Sequence, residues 1–151
     1  MSARAKLTLF AHDAEPRRMK DIPARAARAG AAIRITENPA VAAPYDLILT
    51  DVPCSGSGSW RRDPQGKWAL TPARLSELLA IQSAILDKAA GLVAAKGVLA
   101  YATCSMLAEE DEAQIAAFLA RHPGWTCTGQ QRFSPLSGAD GFFLALLTRK
   151  S

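Results

Sequence analysis

Apolar and polar positions along the chain follow two rhythms. Short, mostly apolar runs occur at Leu7–Ala11, Ala32–Ile35, Tyr45–Thr50, Val98–Ala102 and Phe142–Leu147. Runs of this length read as strands. Those at Tyr45–Thr50 and Val98–Ala102, with continuous apolar centres, read as strands buried on both faces of a parallel sheet. Trp125–Phe133 reads as a further strand. Elsewhere the rhythm is helical. Leu75, Leu78, Leu79, Gln82, Ile85, Leu86, Ala89 and Leu92 fall on one helix face, with Thr71 as N-cap and Pro72 at the first position. Ile115, Phe118 and Leu119 mark the apolar face of a helix over Glu109–Arg121, whose acidic first turn suits the helix dipole. Pro16–Ala29, rich in Ala and Arg, predicts another helix, capped by Gly30. Lys96-Gly97 breaks the pattern ahead of Val98. Strands alternating with helices imply an α/β fold with a mostly parallel sheet, in which ligands bind beyond the carboxyl ends of the strands.

The longest irregular stretch, Asp51–Trp68, holds Pro53, Gly56, Gly58, Pro64 and Gly66. A loop of this length in a compact domain is usually functional. It follows one of the two buried strands and carries Cys54. The other buried strand runs into Thr103-Cys104-Ser105. If these strands are parallel neighbours, both cysteines reach the same sheet edge. A thiolate is a nucleophile when its pKa is lowered, and the helix start after Cys104 and hydrogen bonds from Thr103 and Ser105 are candidate causes. Two other readings stand beside nucleophilic catalysis. The cysteines are small buried hydrophobes, or they form a redox pair, although a Cys-x-x-Cys motif is absent.

Composition narrows the class. The chain has 151 residues, 49% hydrophobic and 21% charged, which predicts a globular single domain over 1–151 rather than disorder. No apolar run approaches the roughly 18 residues of a membrane span, and Leu7–Ala11 is too short for a signal-peptide core, so a cytoplasmic protein is expected. The net charge of +4 permits a nucleic-acid partner without requiring one. Three cysteines at spacings of 50 and 23 and two distant histidines form neither a zinc site nor a disulfide framework, so no metal is expected. His12 and Cys127 read as structural.

Four segments together are more specific. Asp51-Val52-Pro53-Cys54-Ser55-Gly56-Ser57-Gly58, followed by Arg61-Arg62-Asp63-Pro64 and Lys67-Trp68, resembles the Asp-x-Pro-Cys-Ser-Gly-x-Gly segment of the Sun (Fmu) family of RNA cytosine-5 methyltransferases, which use S-adenosylmethionine. Tyr101-Ala102-Thr103-Cys104-Ser105 with the acids from Glu109 is similar to that family's second cysteine motif. Gln82-Ser83-Ala84-Ile85-Leu86 is similar to its intervening helix, and Asp140-Gly141-Phe142-Phe143 to its closing strand. The resemblance spans about Leu9 to Lys150.

It implies a Rossmann-like class I methyltransferase sheet with strand order 3-2-1-4-5-7-6. It also implies roles. Cys104 attacks C6 of the target cytosine, Asp51 bonds the base edge near N3, and Cys54 assists release of the methylated product. In DNA cytosine-5 methyltransferases the Pro-Cys cysteine attacks instead, which would make Cys54 the nucleophile; the resemblance favours Cys104. Asp13, Asp51 and Pro53 would contact the cofactor. Arg61, Arg62 and Lys67 would meet RNA phosphate, ribosomal RNA being the expected partner; the alternative is an ordinary solvated loop. Trp60 and Trp68 would stack on bases or anchor the loop.

Three family features have no counterpart in these residues, one of them the RNA-binding domain that precedes the catalytic domain in many members. The Ala-Pro-Gly-Gly-Lys cofactor loop expected ahead of Leu7 is absent, and Asp111 stands where the family commonly has Asn. The expectation is therefore a truncated catalytic domain lacking its first strand and cofactor loop, with an incomplete cofactor site. An unpaired central sheet edge would then favour homo-oligomers. The alternative function is a non-catalytic RNA-binding or assembly module built on the same sheet.

Overall fold

The computed structural model describes residues 7–134, 136, 138 and 140–150. The chain divides into two compact units, Met1–Ala43 and Pro44–Ser151. The first is a βαβ unit. Strand β1 (Leu9–Ala11) pairs in parallel with β2 (Ile33–Ile35), and helix α1 (Ile22–Arg28) connects them. The helix expected over Pro16–Ala29 is split into a 3-10 turn at Pro16–Met19 and α1. Pro23 explains the break: it has no N–H to donate to the preceding turn and suits only a helix start. Gly30 closes the segment at a φ of 65°, a left-handed value that glycine adopts without penalty.

The second unit holds a four-stranded sheet in the order β3-β4-β6-β5: β3 (Tyr45–Asp51), β4 (Val93–Thr103), β5 (Trp125–Phe133) and β6 (Phe142–Arg149). Only β3 and β4 are parallel; β6 runs antiparallel to both β4 and β5. The larger sheet is thus mixed, because β5 and β6 form an antiparallel pair inserted against β4. The two sheets reproduce the segments 3-2 and 4-5-7-6 of the implied order, and no strand among the described residues corresponds to the first.

Three further differences have local causes. Strand β4 begins at Val93, not Val98, and continues through Lys96-Gly97 by a bulge opposite Tyr45–Leu47. A Cβ at Gly97 would lie 2.8 Å from the Tyr45 carbonyl oxygen, so the close approach requires glycine. The Asp51–Trp68 stretch contains a short helix α2 (Pro64–Ala69), started by its proline. Helix α3 (Pro72–Ala90) begins as expected, with the Thr71 hydroxyl accepting from Arg74 N at 3.1 Å. Helix α4 (Glu112–Arg121) starts later than Glu109, for reasons that belong to the site.

Helices α3 and α4 pack on one face of the larger sheet. Leu86, Ile115 and Phe118 meet Leu99, Tyr101, Phe143, Ala145 and Leu147 there, all essentially inaccessible to solvent. The period-2 alternation sends Leu47 and Leu49 of β3 to the opposite face, where they are 62% and 63% exposed. The expectation of burial on both faces therefore fails for β3 within this unit.

Candidate active site

Both cysteine loops leave the sheet at the same end, because β3 and β4 are parallel and Asp51 pairs with Ala102. Main-chain bonds continue past the strands: Val52 N donates to the Ala102 carbonyl at 3.1 Å and Gly58 N to the Cys104 carbonyl at 2.9 Å. The result places Cys54 Sγ and Cys104 Sγ 3.4 Å apart, within sulfur hydrogen-bond distance. Cys104 is exposed and Cys54 half-buried.

This contact makes the two thiols unequal. The hydrogen bond from the Cys54 thiol lowers the Cys104 pKa to about 7, against burial and the charges of Asp51 and Glu110, which push it upward. The same bond, reinforced by burial, pushes the Cys54 thiol far above its ordinary range. Cys104 is thus the accessible sulfur and the more readily ionised of the two, with Cys54 as its proton-bearing donor. The other expected causes are not used. The Ser105 and Thr103 hydroxyls are turned to carboxylates, and α4 begins only at Glu112.

Those carboxylates organise the loops. Glu110, fully buried, accepts from Ser55 N (2.8 Å) and Gln82 Nε2 (3.0 Å) on one oxygen, and from the hydroxyls of Ser55 (2.5 Å) and Ser105 (2.6 Å) on the other. Gln82 also donates to the Pro53 carbonyl at 3.0 Å, and Tyr101 Oη donates to the Glu110 carbonyl at 2.6 Å. Asp111, equally buried, accepts from Thr103 Oγ1 at 2.6 Å and faces Arg132 Nη2 at 2.9 Å. Two adjacent acids drawn into loop contacts leave the helix to start at Glu112. Sequence reasoning placed Gln82 on the buried face of its helix but read Glu110 and Asp111 as the acidic first turn of the following helix, suited to its dipole. The available signal was the serines flanking each cysteine, which are donors in need of an acceptor.

Burial raises the Asp111 pKa from 3.8 to about 6, although Thr103 and Arg132 pull it down. The folded state thus binds this proton more tightly than the unfolded state. Stability from this group is greatest below pH 3.8 and falls as pH rises towards about 6. Asp111→Asn keeps an acceptor for Thr103 and removes the buried charge. It is expected to remove the fall in stability between pH 3.8 and about 6 that the parent protein shows, as urea denaturation at pH 3.5 and pH 7 will measure.

The remaining expected residues are placed as follows. Asp51 is exposed at the end of β3, and its carboxylate has no hydrogen-bond or ion-pair partner among the described residues. Pro53 is also exposed, with its carbonyl held by Gln82. Asp13, in the first unit, follows β1 and accepts from Glu15 N at 2.7 Å. S-adenosylmethionine presents ammonium, amino and ribose hydroxyl donors, and an exposed, unpartnered carboxylate at a strand end fits such a donor. Arg61, Arg62 and Lys67 are all exposed. Arg62 pairs with Asp140, and Lys67 lies 5.6 Å from the ring centre of the exposed Trp68. Trp60 anchors its loop by donating Nε1–H to the Ser55 carbonyl at 3.3 Å. The Asp140-Gly141 segment closes on the cysteine loop, with Gly141 N donating to the Gly58 carbonyl at 3.0 Å.

The chain is similar to known proteins in sequence and in fold. The "Ribosomal RNA small subunit methyltransferase B" of Photorhabdus laumondii is 40% identical over 114 residues, which cover 70% of this chain and 27% of that protein. The chain thus spans about a quarter of the length of its curated relative. Among solved structures, PH0851 superposes with a TM-score of 0.85 at 31% identity, covering 94% of this chain and 37% of that one. NSun6 from Pyrococcus horikoshii with SFG superposes with a TM-score of 0.81 at 22% identity, covering 95% and 42%. The fold is that of the Rossmann-like class I methyltransferases. Residues 2–148, nearly the whole chain, match the family described as 16S rRNA methyltransferase RsmB/F. The chain belongs to the RsmB/F family.

Proposed function

We propose that this chain carries the base-reacting part of an S-adenosylmethionine-dependent RNA cytosine-5 methyltransferase that acts on ribosomal RNA. The observation that carries the reading is the unequal thiol pair, Cys104 exposed and lowered to about 7 by a Cys54 thiol 3.4 Å away. The Cys104 thiolate adds to C6 of cytosine, forming a carbon–sulfur bond and moving an electron pair to C5. S-adenosylmethionine, when bound, supplies a methyl group activated by its sulfonium. Once C5 carries the methyl group and has lost its proton to a base, the C6–S bond breaks and Cys104 leaves as thiolate. Cys54 donates to that departing sulfur the hydrogen bond it already makes in the free protein, which assists elimination. Asp51 bonds the base edge near N3 and, with Pro53, contacts the cofactor. Association of two copies through the exposed edge of β3 is part of the same reading.

Arg61, Arg62 and Lys67 provide the phosphate contacts. Their joint replacement by glutamine is expected to weaken RNA binding regardless of sequence. It should also flatten the salt dependence by about 2 in the log–log slope, as read by fluorescence anisotropy over a salt series.

The activity is tested on the protein as encoded, with any sequence that flanks these 151 residues. Incubation with S-adenosylmethionine and unmethylated small-subunit ribosomal RNA is expected to produce 5-methylcytosine, detected by nucleoside mass spectrometry. RNA binding with no 5-methylcytosine would favour the non-catalytic RNA-binding module instead.

A further inference from the structure

We propose that Glu110 is a positioning residue whose carboxylate clamps the two cysteine loops together and so sets the approach of Cys54 to Cys104. The inference rests on the reading of Cys104 as nucleophile. Its basis is that one buried side chain binds the immediate neighbours of both cysteines, Ser55 after Cys54 and Ser105 after Cys104. The same carboxylate is tied to helix α3 through Gln82, which in turn holds the Pro53 carbonyl just ahead of Cys54. Glu110 therefore links β3, β4 and α3 at the point where the chemistry is placed, without touching either sulfur.

A clamp and a charge make opposite predictions. The titratable groups acting on Cys104 are Cys54, Asp51 and Glu110, and the Glu110 charge by itself disfavours the thiolate. If Glu110 acts on Cys104 through charge alone, removing it by any substitution lowers the Cys104 pKa. If it acts as a clamp, Glu110→Ala frees the loops, weakens the Cys54–Cys104 bond and raises that pKa. Glu110→Gln preserves the clamp, because its amide oxygen can face Ser55 N and Gln82 while its NH₂ donates to hydroxyls that rotate to accept.

The test is the rate of iodoacetamide alkylation of Cys104 against pH, resolved by peptide mass spectrometry. The expected result for Glu110→Ala is a higher midpoint and a rate at pH 7 lower by roughly tenfold, since the thiolate fraction falls while its intrinsic nucleophilicity rises. Glu110→Gln is expected to keep the parent midpoint or fall slightly below it. Ser55→Ala combined with Ser105→Ala opens the same clamp with the carboxylate in place, and serves where Glu110→Ala does not fold. A midpoint that is unchanged or lowered in Glu110→Ala, or in the double serine variant where that one is used, overturns the clamp while leaving Cys104 as nucleophile. A parent protein in which Cys104 alkylates no faster than Cys54 at pH 7 overturns the nucleophile assignment, and the clamp's functional role with it.

Discussion

Cys104→Ala is expected to abolish methyl transfer, by a factor on the order of a thousand or more, while RNA affinity stays within about twofold. The loss is large because the nucleophile has no substitute. Without a C6–S bond, C5 of cytosine does not carry the electron density needed to accept a methyl group. The effect on binding is small because Cys104 is exposed, and the site's buried bonds run through Ser105, Thr103 and Glu110. Cys54→Ala separates the two roles. It removes the donor to Cys104, so the departing sulfur loses its hydrogen bond and the covalent protein–RNA species is expected to accumulate. Denaturing gel shifts report that species, and turnover assays report the matching loss. If the sequence motif instead worked as in the DNA enzymes, the two variants would exchange phenotypes.

Gly58→Ala is expected to be the most damaging change outside the cysteines. An added Cβ would lie 2.2 Å from the Gly141 carbonyl oxygen and 2.6 Å from its carbon, which are backbone atoms that no rotamer change can move. The Gly58 and Gly141 segments must separate, so the bond across the contact, Gly141 N to the Gly58 carbonyl, is lost, and the displaced Gly58 also gives up its N–H bond to the Cys104 carbonyl on the neighbouring loop. Two hydrogen bonds at about 1 kcal/mol each, with overpacking of 1–3 kcal/mol, give a destabilisation of about 3–5 kcal/mol. Denaturant titration will measure it. Because Gly58 is bonded to Cys104 itself, the alkylation midpoint of Cys104 should rise in parallel.

The parts of this architecture that depend on local pattern were legible in the sequence. Thr71-Pro72 starts its helix as the residue types require, and the apolar runs ending at Asp51 and Thr103 are neighbouring parallel strands, which is enough to bring Cys54 and Cys104 to one edge. What was not legible depends on partners distant in sequence. Glu110 and Asp111 have the composition of a solvated helix start, and only the serine and threonine hydroxyls from two strand ends explain their burial. Lys96-Gly97 looks like a break because a bulge also needs a glycine, and the difference is decided by the Tyr45 carbonyl on the neighbouring strand. The apolar content of Leu47 and Leu49 signals a covered face, yet no element of their own unit covers it. The inequality of the two thiols was the least accessible feature, since it follows from a 3.4 Å contact between residues 50 positions apart.

The central claim is that Cys104, and not Cys54, forms the bond to the base. The most direct measurement uses RNA whose target cytosine carries fluorine at C5, which prevents loss of the C5 proton and holds the adduct. After reaction with S-adenosylmethionine, ribonuclease and trypsin, the two cysteines fall in separate peptides, 35–61 for Cys54 and 97–121 for Cys104. The nucleotide mass is expected on the 97–121 peptide, with fragmentation placing it on Cys104. Its appearance on Cys54 would contradict the account.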